Sequence, residues 1–156
     1  MDREIDRVNR FDAKDIERLE DQSLYSGFFG LEKRRLRHRR FNGEWGEAID
    51  REVHVRRDAV GVLLYDPIHD HVVLVEQIRA GALDDPISPW KLEPVAGLVE
   101  PGETPADVAR REAQEEAGCD IGELIELHRY YPSPGACTEQ VTLFCGLIDS
   151  TGLGGI

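Results

Sequence analysis

Residues 97–119, with the sequence GLVEPGETPADVARREAQEEAGC, constrain the fold more than any other part of the chain. Thr104 and Asp107 have the spacing of a capping box, in which each side chain satisfies a free backbone N–H at a helix start. Pro105 suits the first helical position. Gly118 is the residue type that most often follows the last helical turn. The pattern therefore predicts one helix that begins after Thr104 and ends before Gly118.

The two faces of this predicted helix differ in chemistry. One face is narrow and apolar, because alanines recur three and four residues apart, at Ala106, Ala109, Ala113 and Ala117. Glu112, Glu115 and Glu116 have the spacing i, i+3 and i+4, so their carboxylates share a second face. Clustered carboxylates are the hard oxygen ligands that Mg²⁺ prefers. A solvated acidic face is the alternative interpretation of a Glu-rich helix.

The whole stretch resembles the Nudix box, which combines a Gly, a Glu, an Arg-Glu pair and a Glu-Glu-x-Gly end at fixed spacings. Its fixed positions are filled here, in order, by Gly97, Glu103, Arg111, Glu112, Glu115, Glu116 and Gly118. The two apolar positions hold the small residues Ala113 and Cys119. The resemblance implies a loop–helix–loop that binds divalent metal and a diphosphate and cleaves the diphosphate with water. It also implies an α+β Nudix fold, a mixed β-sheet sandwich with flanking helices.

Composition narrows the classes of protein further. The net charge of −12 disfavours a protein that coats nucleic acid, because phosphate contacts need Lys and Arg. No apolar run approaches the roughly 18 residues of a transmembrane helix, and the charged start lacks the apolar stretch of a signal peptide. The 3 cysteines are odd in number and lack metal-ligand spacing, which favours reduced thiols in a cytoplasmic protein. We therefore expect neither nucleic acid nor membrane as a partner.

A basic run at residues 33–40, KRRLRHRR, has two interpretations. Such a run is typical of a nuclear signal or of a nucleic-acid patch. The Asn42-Gly43 pair that follows is a strong hairpin signal, and it predicts two antiparallel strands at roughly 30–41 and 46–56. The basic side chains then become solvated strand positions, which is the interpretation that we favour. For the highly charged residues 1–21 we predict neither helix nor strand.

The rest of the chain is predicted to hold strands around the helix. The nearly continuous apolar run at 59–65 is typical of a strand buried on both faces. Further strands are predicted at 71–79, 91–96, 124–130 and 140–148, with a hairpin between the first of these and 59–65 and a loop at 80–90. The 156 residues then divide into an N-terminal β subdomain, 1–57, and a Nudix catalytic domain, 58–156.

Outside the box, the resemblance is closest to bacterial ADP-ribose pyrophosphatases. The segments that carry it are SLYSGFFGL, FNGEW, REVHVRRDAVGVLL, VVLVEQIRAG, PWKLEPVAG and PSPGACTE. The resemblance implies Mg²⁺-dependent hydrolysis of ADP-ribose to AMP and ribose 5-phosphate, with two or three ions per site and Mn²⁺ as an alternative ion. Two other functions stay open. One is another nucleoside-diphosphate-sugar or dinucleotide pyrophosphatase, and the other is a non-catalytic module that senses ADP-ribose.

The resemblance also implies roles for individual residues. The metal ligands are the backbone carbonyl of Ala96 and the side chains of Glu112, Glu115 and Glu116. The catalytic residues are Glu115, Glu116 and Arg111, with Arg111 orienting the glutamates and Glu103 bracing the loop. The substrate-binding residues are Phe28 and Phe29 for adenine, Arg51, Glu52 and Arg56 for ADP-ribose, Arg79 for phosphate, and Leu98, Ser133, Pro134, Gly135 and Glu139 around the terminal ribose. From local sequence alone, Phe28 and Phe29 are instead expected to be core anchors.

Two further expectations concern features that the Nudix box does not contain. The N-terminal strands resemble a dimerisation subdomain, which implies a homodimer with shared active sites. In the related enzymes a mobile acidic loop beyond the last strand supplies the general base. We expect Gly152, Gly154 and Gly155 to mark the start of that loop, and the base to lie after Gly155. Within residues 1–156, Glu139 and Glu115 are the substitutes for that base.

Overall fold

The computed structural model describes residues 11–154. Strands dominate this part of the chain, and one α-helix lies between the eighth and ninth strands, so the predicted α+β class is confirmed. In chain order the elements are β1 (Ile16–Ser26), β2 (Gly30–His38), β3 (Ile49–Val55), β4 (Ala59–Asp66), β5 (His71–Val73), β6 (Val75–Ile78), β7 (Trp90–Glu93), β8 (Val95–Leu98), α1 (Pro105–Ala117), β9 (Leu124–Tyr130) and β10 (Val141–Leu147). In this described part, no helix is long and apolar enough to cross a membrane.

The chain divides into two compact units. The first runs up to Arg56 and also includes the short segment 135–137. The second runs from Arg57 and excludes that segment. The break between Arg56 and Arg57 lies next to the predicted boundary after residue 57. The roles predicted for the two parts stay predictions.

The first unit contains an antiparallel sheet in the order β1–β2–β3. The predicted hairpin is present, because β2 and β3 pair from Gly30 opposite Val55 to Leu36 opposite Ile49. The turn closes where the N–H of Arg40 donates to the carbonyl of Glu44 at 2.8 Å. β1 covers a stretch for which no element was predicted, since its alternation of apolar and polar side chains is weak.

The basic run lies in β2 and just after it, and its charges are balanced locally. Its side chains pair with acidic groups on the same strand or on the two neighbouring strands. The N···O distances are 3.0 Å for Lys33–Asp50, 2.9 Å for Arg34–Glu32 and 2.6 Å for Arg37–Glu17. The guanidinium groups of Arg37 and Arg39 also lie over the ring of Trp45. This arrangement fits the interpretation of solvated strand positions.

The second unit is built around β4. This strand pairs in parallel with β10 and antiparallel with β5 and β8, while β9 adds antiparallel to β10. Val60, Val62 and Leu64 are almost completely buried, as predicted for the apolar run. Both parallel and antiparallel pairs occur, so the predicted mixed sheet is confirmed.

Helix α1 has the predicted bounds. The Thr104 hydroxyl accepts from the N–H of Asp107 at 3.3 Å, and the Asp107 carboxylate accepts from the N–H of Thr104 at 3.0 Å. Gly118 has φ of +64° and ends the helix in the left-handed conformation. Ala109 and Ala113 are fully buried. Their small side chains bring α1 close to the sheet, because little volume separates the two backbones.

The predicted single strand at 71–79 is wrong, because it is two strands. β5 continues the hairpin with β4, and after Leu74 the chain departs as β6 to pair with β7. Similarly, the predicted strand at 91–96 divides into β7 and β8 around Pro94, which has no N–H to donate to a ladder. The alternation of side chains along a strand does not depend on which strand it pairs with. The sequence pattern therefore does not reveal that residues 71–73 pair with β4 while residues 75–78 pair with β7.

Candidate functional site

Strand β8 and helix α1 meet where Glu112 approaches Gly97. A side chain at residue 97 would overlap the Glu112 carboxylate, since a Cβ there would lie 2.5 Å from Glu112 Cγ and closer still to the carboxylate oxygen Oε1. The adjacent N–H of Ala96 donates to Glu116 Oε2 at 3.3 Å. The carboxylates of Glu112 and Glu116, one helical turn apart, therefore both lie against the backbone of Ala96 and Gly97.

Arg111 holds the acidic face of α1 together. Its Nε donates to Glu103 Oε1 at 2.9 Å, and its Nη2 donates to Glu103 Oε2 at 3.2 Å. Its Nη1 donates to Glu112 Oε1 at 2.7 Å and to Glu115 Oε2 at 3.3 Å. These hydrogen bonds, first of all the one to Glu103, raise the pKa of Arg111. The guanidinium thus neutralises carboxylates that would otherwise repel each other.

Glu103 ties this helix face to the loop that precedes it. Its carboxylate accepts from the N–H of Glu100 at 3.1 Å as well as from Arg111. The hydrogen bond from Arg111 is the main reason that the pKa of Glu103 lies below its usual range. Glu103 therefore has the bracing position that was expected for it.

Glu116 lies in a different environment from Glu115. Loss of hydration is the main cause of a raised pKa at Glu116, and the charge of Glu112 raises that pKa further. Arg79 acts in the opposite direction, and Glu93 acts in the same direction as Glu112. Glu115, by contrast, has a side chain that is 59% exposed. Glu116 is thus the less hydrated of these two carboxylates, and a bound cation would offset that loss of hydration.

The donor set at this junction fits a hard divalent cation. It comprises the carboxylates of Glu112 and Glu116, the backbone at Ala96, and Glu115 at the rim. Oxygen donors of this kind are those that Mg²⁺ takes in proteins. The absence of a side chain at Gly97 leaves room for the Glu112 carboxylate to lie against the β8 backbone. The four predicted ligands therefore lie on two elements in contact.

A second group of ligand-type atoms, from Asp66, His69 and Asp149, has a structural explanation. Asp66 is fully buried at the end of β4. Its carboxylate already accepts five hydrogen bonds, from the N–H groups of Ile68, His69 and Ser150, from the Ser150 hydroxyl and from the His69 ring. Since a carboxylate offers about four lone-pair positions, none is left for a metal ion. The group fastens the chain after β10 to the end of β4.

Arg79, the predicted phosphate ligand, lies just after β6 and forms a bidentate ion pair with Glu93. Its Nε lies 2.8 Å from Glu93 Oε2, and its Nη2 lies 2.5 Å from the same oxygen. Glu93 was not predicted as a site residue. In the sequence, Glu93 is noticeable only as a carboxylate directly before Pro94 in an otherwise apolar stretch. The sequence does not indicate that Glu93 pairs with Arg79, because Arg79 lies 14 residues earlier, at the end of the other strand of the hairpin.

The other predicted substrate residues of the second unit are spread over three segments. Leu98 ends β8 opposite Ala59 of β4 and is half-buried. Ser133 and Pro134 lie exposed in the loop after β9, and Glu139 is half-buried just before β10. Their assignment to the terminal ribose stays a prediction.

The first unit holds an aromatic cluster around Phe29. Its ring contacts Phe28 and His54 edge-to-face, with centroid distances of 4.7 Å and 4.8 Å. The Arg56 guanidinium lies over the same ring, 4.9 Å from its centroid. Phe28 is 77% exposed, so the expectation of a core anchor is wrong for this residue. An exposed ring beside a half-buried one fits the alternative of a stacking surface. His54 was not predicted to belong to this cluster.

Arg51 and Glu52, also predicted to bind substrate, are neighbours on β3. Successive side chains of a strand point to opposite faces of the sheet. The pairing of β3 with β2 is regular, with Arg51 opposite Arg34 and Glu52 opposite Lys33. The structure therefore does not bring Arg51 and Glu52 to one face. Gly135, the last predicted contact, belongs to the first unit through the segment 135–137.

Comparison with known proteins agrees with this geometry. The NUDIX domain profile matches residues 55–152. This chain belongs to the Nudix family. It is 41% identical to the ADP-ribose pyrophosphatase of Haemophilus influenzae over an alignment 157 positions long, which covers 99% of this chain and 72% of that protein. It is 43% identical to the ADP-ribose pyrophosphatase of Escherichia coli strain K12, over 94% of this chain and 70% of that protein.

A solved structure supports the Nudix fold independently. The crystal structure of an ADP compounds hydrolase superposes with a TM-score of 0.66 at 22% identity. The match covers 85% of this chain, and this chain spans 66% of that one. The predicted Nudix fold is confirmed.

Proposed function

We propose that this Nudix protein hydrolyses the diphosphate bond of ADP-ribose and releases AMP and ribose 5-phosphate. The observation that carries the proposal is the convergence of Glu112 and Glu116 on the backbone at Ala96 and Gly97. An intact set of acidic donors favours catalysis over sensing. The relatives named ADP-ribose pyrophosphatases, which match nearly the whole chain, support this substrate over other nucleotide sugars.

The metal part of the proposal assigns Mg²⁺ to Glu112, Glu115, Glu116 and the carbonyl of Ala96, with two or three ions per site and Mn²⁺ as an alternative. A divalent cation supplies charge neutralisation at the diphosphate and lowers the pKa of bound water. Arg111 keeps Glu112 and Glu115 in place through its two Nη1 hydrogen bonds.

The protein itself supplies the remaining binding groups. Arg79 places a permanent positive charge near Glu116, where a guanidinium can bind a phosphate oxygen. The pair of Phe28 and Phe29 offers an exposed ring that suits the adenine base. For the general base we retain Glu139 and Glu115 as the candidates within this chain, since a base must lie within reach of the attacking water.

We further propose a homodimer with shared active sites. The first unit exposes large apolar side chains along β1 and beyond it, including Leu24, Tyr25 and Phe28. Exposed large apolar side chains are typical of surfaces that pair with another subunit. A cytoplasmic location fits the three free cysteines, Cys119, Cys137 and Cys145.

The test is a substrate profile. AMP release is measured on ADP-ribose, NADH, diadenosine polyphosphates and GDP-mannose with Mg²⁺, and repeated with EDTA. We expect ADP-ribose to have the highest kcat/KM and EDTA to abolish turnover. A higher kcat/KM for another compound would show that ADP-ribose is not the preferred substrate. Tight binding of ADP-ribose without release of AMP would instead establish a sensing module.

A further inference from the structure

The ion pair between Arg79 and Glu93 has the fork geometry that orients a guanidinium most firmly. Arg79 Nε lies 3.1 Å from Glu93 Oε1 and 2.8 Å from Oε2. Its Nη2 lies 2.5 Å from the same Oε2. Two parallel contacts fix the plane of the guanidinium as well as its position. Within residues 11–154 the remaining nitrogen, Nη1, donates to no acceptor, so both of its hydrogens are left for another partner.

The register of the β6–β7 hairpin shows how far the Arg79 side chain must reach. Glu93 lies opposite Val75 at one end of the ladder. Arg79 follows the other end, where its N–H donates to the carbonyl of Pro89 at 2.9 Å. Arg79 and Val75 are four residues apart, which is about 13 Å of strand, and they share one face. The Arg79 side chain therefore folds back along β6 to reach Glu93.

This folded-back position brings Arg79 toward the acidic helix. Glu93 lies three residues before Ala96, and the N–H of Ala96 donates to Glu116 Oε2 at 3.3 Å. The short segment from Glu93 to Ala96 therefore connects the ion pair to the acidic face of α1. The charge of Glu116 also helps to raise the pKa of Arg79, after the larger effect of the hydrogen bond to Glu93. The three charges thus lie near one another, at the end of the hairpin where Pro94 leads into β8.

We propose that Glu93 is a positioning residue that acts through Arg79. Its carboxylate holds the guanidinium beside Glu116 with Nη1 free to donate to a diphosphate oxygen. Without Glu93, the Arg79 side chain has no partner that holds it back along the strand. It then populates many rotamers, and the rotamer that can bind the diphosphate becomes less populated. This inference rests on the proposed hydrolysis of a diphosphate.

A double-mutant cycle tests whether Glu93 acts through Arg79. The wild type, Glu93→Ala, Arg79→Ala and the double variant are compared by kcat and KM for ADP-ribose. The Kd of α,β-methylene-ADP, a diphosphate that is not hydrolysed, is measured by calorimetry with saturating Mg²⁺. We expect Glu93→Ala to raise KM and Kd about tenfold, as for loss of a charged hydrogen-bond partner, with little change in kcat. In the Arg79→Ala background the second substitution should change neither value by more than about twofold.

Two further variants exclude a merely structural effect. Asp85→Asn breaks the ion pair between Asp85 and Lys91 in the same hairpin, and it should leave KM and Kd unchanged. Glu93→Gln keeps the side-chain shape and one acceptor, so we expect an effect between those of wild type and Glu93→Ala. All variants are checked for an unchanged Tm. If Glu93→Ala does not fold, the cycle is built with Glu93→Gln.

The outcomes separate this inference from the proposed function. An effect of Glu93→Ala that is as large without Arg79 as with it would overturn the positioning role, and so would unchanged KM and Kd. A wild-type protein that binds α,β-methylene-ADP but releases no AMP from ADP-ribose would contradict the proposed function only. The Kd comparison would then still decide the role of Glu93.

Discussion

The Glu112 carboxylate occupies the space in which a side chain at residue 97 would lie. The two residues belong to different elements, β8 and α1, and their approach joins the acidic face of the helix to the strand backbone. Glycine is the one residue type without a Cβ, and only the absence of a Cβ at residue 97 leaves room for the Glu112 carboxylate. The geometry of the site therefore depends on a glycine at this position.

Gly97→Ala should lower activity while leaving the fold in place. The added methyl forces the Glu112 carboxylate away from Ala96, and the loss of a correctly placed metal carboxylate costs about 10–100-fold in activity or metal affinity. The measurements are kcat and the Mg²⁺ concentration for half-maximal rate. Gly81→Ala is the matched control, because a Cβ there meets no atom within 4 Å. Unchanged kinetics in Gly97→Ala would show that the Glu112 position is not needed.

Glu116→Gln should lower turnover by at least about tenfold to a hundredfold. The change keeps the shape of the side chain but removes a charge where a cation must bind. Turnover of ADP-ribose is measured over a range of Mg²⁺ concentrations, with EDTA added to the wild type. Glu126→Gln, an exposed glutamate on β9, serves as the control. Full activity of Glu116→Gln together with resistance to EDTA would rule out the metal-dependent mechanism.

The hydrogen-bonded cluster of Asp66, His69 and Ser150 predicts a specific dependence of stability on pH. Hydrogen bonds, first those from Ser150 and His69, hold the pKa of Asp66 below its usual 3.8. The ionised Asp66 therefore contributes to the free energy of unfolding above pH 3.8, and this contribution is lost as pH falls through the lowered pKa. Asp66 raises the pKa of His69 above 6.5, so the contribution of His69 is complete below pH 6.5 and disappears as pH rises through the raised value. The cluster is therefore strongest from about pH 5 to 6.5.

The check is thermal unfolding of wild type and His69→Gln from pH 5 to 9. The difference in Tm should be largest below pH 6.5 and should shrink as pH rises through the raised pKa of His69, because the ring then loses its proton. The charge of Asp149 also raises the pKa of His69, and the ring of His71 stacks on the His69 ring. His128→Gln, on the exposed strand β9, is the control variant. A Tm difference that stays constant over this range would contradict the charged contact.

The homodimer should appear in light scattering as a particle of twice the 17.6 kDa chain mass. Its proposed interface includes the exposed apolar side chains of the first unit, so Leu24→Lys should favour the monomer and weaken ADP-ribose binding. Ile68→Lys, an exposed apolar residue of the second unit, is the control. A monomer that binds ADP-ribose normally by titration would contradict shared sites.

Local patterns allowed the sequence to predict much of this protein. The bounds of α1 follow from Thr104, Asp107 and Gly118, because capping depends on atoms within four residues of one another. The hairpin at Asn42-Gly43 follows from a turn that few residue types can form. The Nudix box itself is a local frame, and it placed Glu112 and Glu116 on one helix face without knowledge of the sheet.

Only the tertiary structure decided the contacts between segments distant in sequence. The parallel pairing of β4 with β10, the division of 71–79 into two strands and the fork between Arg79 and Glu93 all depend on which strand lies beside which. The exposure of Phe28 likewise depends on what the remainder of the chain covers. Residue type and spacing determine the conformation of a segment, but the choice of its partners is settled by burial and hydrogen bonding summed over the whole chain.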